Sequence, residues 1–189
     1  IKKLQRLVDK GAKVDFIQGD IVDLPTMQKS ILKIENRRGK VNGIIHAAGI
    51  PGEGIMQLRE KDDVRKVMSP KIEGTDNLFK IFSNHELDFV LFCSSIASVL
   101  GGVGLVDYCS ANHYTDSIAS TKKLIGGGKI ISIGWDMWGE TGMGLKTYVP
   151  KELKEWFDNE LKNGITSREG QEVLNRILNG NGSPHFVIS

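Results

Sequence analysis

Apolar positions along this chain switch repeatedly between helical spacing and short continuous runs. Ile1, Leu4, Leu7 and Val8 recur at helical spacing and stop at Gly11, where a C-cap falls. Residues 14–18 read as a short strand and residues 19–23 as a loop. Pro25 then suits the first turn of a helix running to about Arg38, with Met27, Ile31 and Ile34 inward. Residues 41–46 read as a second buried strand, followed by the small residues Ala47-Ala48-Gly49. A long helical pattern occupies residues 60–84, and Pro70 inside it predicts a break near Ser69.

Phe89-Val90-Leu91-Phe92-Cys93 has the length and make-up of a buried strand and stops at two hydroxyls, Ser94 and Ser95. After a glycine-punctuated loop, a helix opens near Tyr108, with Asn112 one turn later on the same face, and runs to about Leu124. Residues 129–133 are a further strand. Residues 134–144 mix glycines with Trp135, Met137 and Trp138, which fits either a lid over a cleft or a surface loop held by its tryptophans. Helices at about 150–161 and 167–178 and a strand at 185–188 close the chain. Ser167 reads as the start of the last helix, and from there Glu169 falls one residue early for a capping box. Strands alternating with helices predict an α/β fold with a doubly wound parallel sheet.

The 189 residues suffice for one such domain, spanning 1–189. With 25 Lys plus Arg against 23 Asp plus Glu, a formal charge of +2 gives no reason to expect nucleic acid or an anionic membrane as partner. No apolar run nears the roughly 18 residues of a membrane span, and no signal peptide precedes the first helix, so a cytoplasmic location is expected. Cys93 and Cys109 read as reduced thiols, and the four histidines have no partners at ligand spacing, so no metal is expected. His46, at a strand end, reads as a core or loop-anchoring residue. The small residues 47–49 admit a cofactor lying flat on the backbone or tight helix packing.

In order along the chain, Gly43-Ile44-Ile45-His46-Ala47-Ala48-Gly49, Ser69-Pro70-Lys71-Ile72-Glu73-Gly74, Phe92-Cys93-Ser94-Ser95, Tyr108-Cys109-Ser110-Ala111-Asn112 and Trp135-Asp136-Met137-Trp138 together resemble the ketoreductase domain of a modular polyketide synthase, or of a hybrid with a peptide synthetase. That family lies in the short-chain dehydrogenase/reductase superfamily, whose fold is Rossmann-like. Most of the superfamily places a lysine where Asn112 stands. Polyketide ketoreductases resemble this chain instead, taking their lysine from the preceding helix, the place of Lys71. The resemblance implies Lys71, Ser95, Tyr108 and Asn112 as the catalytic set, with Ser95 aligned rather than Ser94. It also implies Asp20 and Ile21 beside an adenine ring, and Ala47, Ala48 and Gly49 beside the ribose and nicotinamide.

The implied chemistry is coherent. Ketone reduction needs a hydride at carbon and a proton at oxygen. A phenol with a pKa of about 10 is a poor match to neutral pH, and a nearby ammonium favours its ionised form by roughly 1 to 3 pKa units. The expectation is therefore an NADPH-dependent reductase of β-ketoacyl thioesters carried on the phosphopantetheine arm of an acyl carrier protein. The family's glycine-rich phosphate loop and first two strands would precede Ile1, so an upstream segment of a larger multidomain synthase is expected as partner, and the fold as incomplete at its N-terminus. Two alternatives stand beside this reading: a catalytically silent ketoreductase-like module, and a short-chain dehydrogenase acting on a free small molecule. The family's two stereochemical markers are absent, their places holding Pro51-Gly52-Glu53 and Leu100, so no alcohol configuration is expected from sequence.

Overall fold

The computed structural model describes residues 2–52, 54–146, 149 and 151–189. Four parallel strands, β1 (Gly43–His46), β2 (Phe89–Ser95), β3 (Lys129–Trp135) and β4 (His185–Ile188), lie in the order β1-β2-β3-β4. Helices α1 (Lys2–Asp9) and α2 (Leu24–Arg38) come first. Between β1 and β2 lie α3 (Lys61–Met68) and α4 (Glu73–Ile81). The short α5 (Ala97–Leu100) and the long α6 (Val106–Thr121) link β2 to β3, and α7 (Lys154–Lys162) and α8 (Ser167–Asn179) link β3 to β4. Among the expected features, Ile1, Glu53 and Pro150 lie outside the described residues.

Strand alternation sorts the core into two layers. Val90, Phe92 and Ile130 point to one face, where Leu78 and Phe82 from α4 and its C-terminus and Ala119 from α6 cover them. Leu91, Ile131, Ile133 and Trp135 point to the other, against Ile165 and Ile177 with Val173 and Leu174 of α8. Both faces are therefore helix-covered over β2 and β3. On β1 the second face is open: Ile45 is 55% exposed, and β1 is one of the two outer described strands.

Local signals explain the element ends. Asp23 caps α2 by accepting from the Thr26 amide at 3.1 Å, with Pro25 in the first turn. Pro70 lies in the break between α3 and α4, so Lys71 sits outside both helices, near the end of the sheet.

Four expectations change. Residues 14–18 form no strand, and Phe16 is 78% exposed; extended backbone without a partner strand has nowhere to place its hydrogen bonds. α6 ends at Thr121, with Lys122 already extended. β3 continues through Gly134 and Trp135, which pair with Ser94 and Ser95 on one side and Val187 and Ile188 on the other. The cap of α8 is Thr166 rather than Ser167. From that position Glu169 completes a capping box, its carboxylate accepting from the Thr166 amide at 2.9 Å.

Those two tryptophans also revise the lid. Trp135 is 7% exposed within β3, and Trp138 meets it edge-on at 5.0 Å between ring centroids. The Trp138 ring lies so close to Gly170 of α8 that an added Cβ there would come within 2.0 Å of it. The segment's base is thus anchored to the body of the domain.

Candidate active site

The carboxyl ends of parallel strands gather chemistry because loops and helix starts converge there. Here β1 delivers residues 47–49, β2 delivers Ser94 and Ser95, and α6 delivers Tyr108 and Asn112. Lys71 joins them through the break at Pro70.

Lys71 is 4% exposed, and its ammonium donates to the Cys93 carbonyl at 2.5 Å. Burial lowers its pKa to about 8, opposed by attraction to Cys93 and to the buried Asp116 carboxylate. Gly49 lies against the stem of Lys71: a Cβ there would stand 3.4 Å from Lys71 Cε. His46 is 2% exposed, and its Nε2–H donates to the Pro70 carbonyl at 3.1 Å, which anchors the turn that presents Lys71. Burial first, then the neighbouring Lys71 charge, holds the His46 pKa down to about 4, so the ring is neutral at pH 7.

The two serines separate by strand alternation. Ser94 is buried and its hydroxyl donates to the Asn112 carbonyl at 3.5 Å, tying β2 to α6. Ser95 accepts from the Ala97 amide at 3.2 Å, which leaves its own proton free to donate. Asn112 is fully buried, and its amide donates to the Tyr108 carbonyl at 2.8 Å. Burial raises the Tyr108 phenol above its ordinary value, and the Ser95 and Asn112 side chains oppose that rise.

Lys71 and Tyr108 are related differently from the sequence expectation. The ammonium turns to the Cys93 carbonyl, while the polar influences on the phenol are Ser95 and Asn112. Proximity explains the choice: Lys71 leaves its turn beside the end of β2, and a strand-end carbonyl has a free lone pair for it. Asn112 Oδ1 is buried with no hydrogen-bond partner, an acceptor set on the Tyr108 face of α6.

Of the expected cofactor residues, Ala47 and Ala48 are exposed at the end of β1 and Gly49 is half-buried beside Lys71. Asp20 is exposed and accepts from the Val22 amide at 3.0 Å. Ile21 packs on Gly74 of α4, and Asn77 donates to the Ile21 and Val22 carbonyls at 3.1 and 2.9 Å. The exposed small residues 47 and 48, with Gly49 against Lys71, leave room for a flat polar ring such as a nicotinamide.

Two groups escaped the sequence reading. Arg59 donates to Asp107 at 2.6 Å, directly beside Tyr108. Asp116, 4% exposed, accepts from Ser132 Oγ at 2.6 Å and lies 3.6 Å from His185 Nε2. The available signal was position: Asp107 adjoins Tyr108, and Asp116 follows Asn112 by one turn on the same face of α6. Neither of two surface clefts, of about 370 and 540 Å³ along α3, α4 and α6, includes the four candidate catalytic side chains.

A helix-covered parallel sheet of this strand order gives an α/β, Rossmann-like fold of the short-chain dehydrogenase/reductase type. Within that class the chain belongs to the KR domain family of polyketide synthases; the family model matches residues 1–140. Among its relatives are two Bacillus subtilis proteins, polyketide synthase PksM, 29% identical over 192 residues, and polyketide synthase PksN, 31% identical over 157 residues. These alignments cover 100% and 80% of this chain but 4% and 3% of the relatives, so the chain spans a small part of their length. A solved ketoreductase domain from the bacillaene assembly line superposes with a TM-score of 0.80 at 27% identity, covering 98% of this chain and 45% of the other. Among the described residues, no helix is long and apolar enough to cross a membrane.

Proposed function

We propose that this chain carries the catalytic residues of a reductase that converts a β-ketoacyl thioester, held on the phosphopantetheine arm of an acyl carrier protein, to the β-hydroxyacyl thioester. NADPH, when bound, supplies the hydride. Ala47, Ala48 and Gly49 would receive its ribose and nicotinamide beside Lys71, and Asp20 and Ile21 its adenine.

The observation that carries this reading is the combination of a buried ammonium at Lys71 with Ser95, Tyr108 and Asn112 at one end of the sheet. Ser95, with its acceptor role satisfied by Ala97, donates its proton to the substrate carbonyl oxygen and holds that oxygen in line. Tyr108, protonated at neutral pH, gives its phenolic proton to the oxygen as negative charge develops there. The Lys71 ammonium, bonded to the Cys93 carbonyl, supplies positive charge to this end of the sheet as the phenolate forms, and the Asn112 side chain holds the Tyr108 turn through its bond to that residue's carbonyl. The product is a secondary alcohol, and the phenol is re-protonated from solvent.

The unpaired outer edge of β1 and the open Ile45 face support a second part of the reading: upstream chain of the same synthase pairs with β1 and completes the domain.

The test is NADPH oxidation by the domain together with its upstream segment, offered a β-ketoacyl thioester mimic and a free ketone of similar size. Preference for the thioester supports the assignment. Preference for the free ketone favours a small-molecule dehydrogenase, and inertness toward both favours a silent module.

A further inference from the structure

Among the described residues outside the four candidate catalytic ones, Arg59–Asp107 is a deeply buried ion pair. Their side chains are 17% and 6% exposed and meet at 2.6 Å. The pair joins distant parts of the chain. Asp107 stands in the first turn of α6, and its other oxygen accepts from the Tyr108 amide at 2.8 Å. Arg59 follows the single 3-10 turn Met56–Leu58, after β1.

The segment leading into that turn is held against α6 at further points. Gly52 is buried so tightly that a Cβ there would fall 2.4 Å from an Asp107 carboxylate oxygen and 2.9 Å from Tyr108 Cβ. The backbone of Gly54 lies 3.4 Å from where a Cβ would stand on Gly104, in the loop that feeds α6. Between these contacts and Arg59 the segment carries Ile55, Met56 and Leu58, exposed by 58%, 61% and 79%. Exposed apolar side chains on a segment clamped beside a proton donor are suited to an apolar ligand rather than to the fold.

We propose that Arg59 and Asp107 form a strap that fixes the apolar segment 54–58 to the helix carrying Tyr108, and so sets the binding of the acyl chain relative to the phenol. Both are positioning residues: neither touches the reacting atoms, and both act through the segment. The inference rests on the reductase reading for its substrate, but the strap itself is a property of the segment.

Removing Arg59 alone would leave the buried Asp107 carboxylate without its guanidinium and risks misfolding. The test therefore uses Arg59→Met/Asp107→Asn, which removes both charges at near-constant shape, with Arg59→Lys as the conservative variant. In the domain with its upstream segment, the double variant is expected to raise KM for a β-ketoacyl thioester mimic about 10-fold or more. Its kcat should fall by no more than about 3-fold, a split that general loss of structure does not give. Arg59→Lys should recover most of the KM. Amide hydrogen exchange over residues 54–60 should quicken about 10-fold in the double variant. An unchanged KM in a folded double variant, a fall in kcat alone, or unaltered exchange over 54–60 would overturn the strap. A wild-type domain inert to ketones, with the exchange change still present, would remove the reductase reading and leave the strap standing.

Discussion

Replacing Lys71 by methionine should make the protein more stable at neutral pH while removing its activity. The ammonium is 4% exposed, and burial takes its pKa from 10.5 to about 8. Below pH 8 the lysine is charged in both the folded and unfolded chain, and the folded state bears the cost of dehydrating it. Between pH 8 and 10.5 the unfolded chain binds more protons than the folded one, so stability rises with pH across that window. The cost relieved is about 3 kcal/mol. Methionine fills the same volume without charge, but it forfeits the bond to the Cys93 carbonyl, worth about 1 kcal/mol. The variant should therefore gain about 2 kcal/mol at pH 7, and the gain should vanish by pH 10. Ketone reduction should fall about 100-fold or more, as the charge that favours the phenolate is gone. Urea unfolding of both proteins at pH 7 and pH 10, beside NADPH oxidation, measures each part. A variant less stable than wild type at pH 7, by a margin that pH does not alter, would refute the reasoning.

Further outcomes follow from the same geometry. His46, held near pKa 4, stays neutral in the folded chain while the unfolded chain takes up a proton below 6.5. Stability should therefore fall as pH drops from 6.5 to 4, by about 3 kcal/mol, and His46→Gln should flatten that part of the unfolding profile. Gly170→Ala should drive a methyl into the Trp138 ring and cost about 1 to 3 kcal/mol, read by thermal melting with tryptophan fluorescence. Thr166→Ala should remove the capping box of α8 and cost about 1 kcal/mol in chemical unfolding, with activity unchanged.

Much of the fold is written in local pattern. The apolar run at Phe89 and the proline at 70 each act within a few residues of themselves, and β2 and the α3–α4 break lie where they predict. Errors fall where a partner decides. Residues 14–18 have strand composition but no described strand beside them. Gly134 looks like loop, yet Ser94 and Val187 on either side draw it into β3. Trp138 suits a mobile lid by composition, but a glycine more than thirty residues on opens a slot for its ring. The candidate site divides the same way. Tyr108 and Asn112 share a helix face, so their spacing is legible. The Lys71 bond to Cys93, the Arg59–Asp107 pair and the Asp116–Ser132 bond join residues 16 to 48 positions apart, and no local period records them.

The proposed reduction depends on one phenol giving up its proton. The most direct measurement is therefore Tyr108→Phe in the domain with its upstream segment, following NADPH binding by fluorescence and β-ketoacyl thioester reduction by absorbance. The structure leads to binding within about 2-fold of wild type and turnover reduced about 100-fold or more, because only the hydroxyl is removed from a half-buried ring. Turnover that survives the substitution would contradict the assignment of Tyr108 as proton donor.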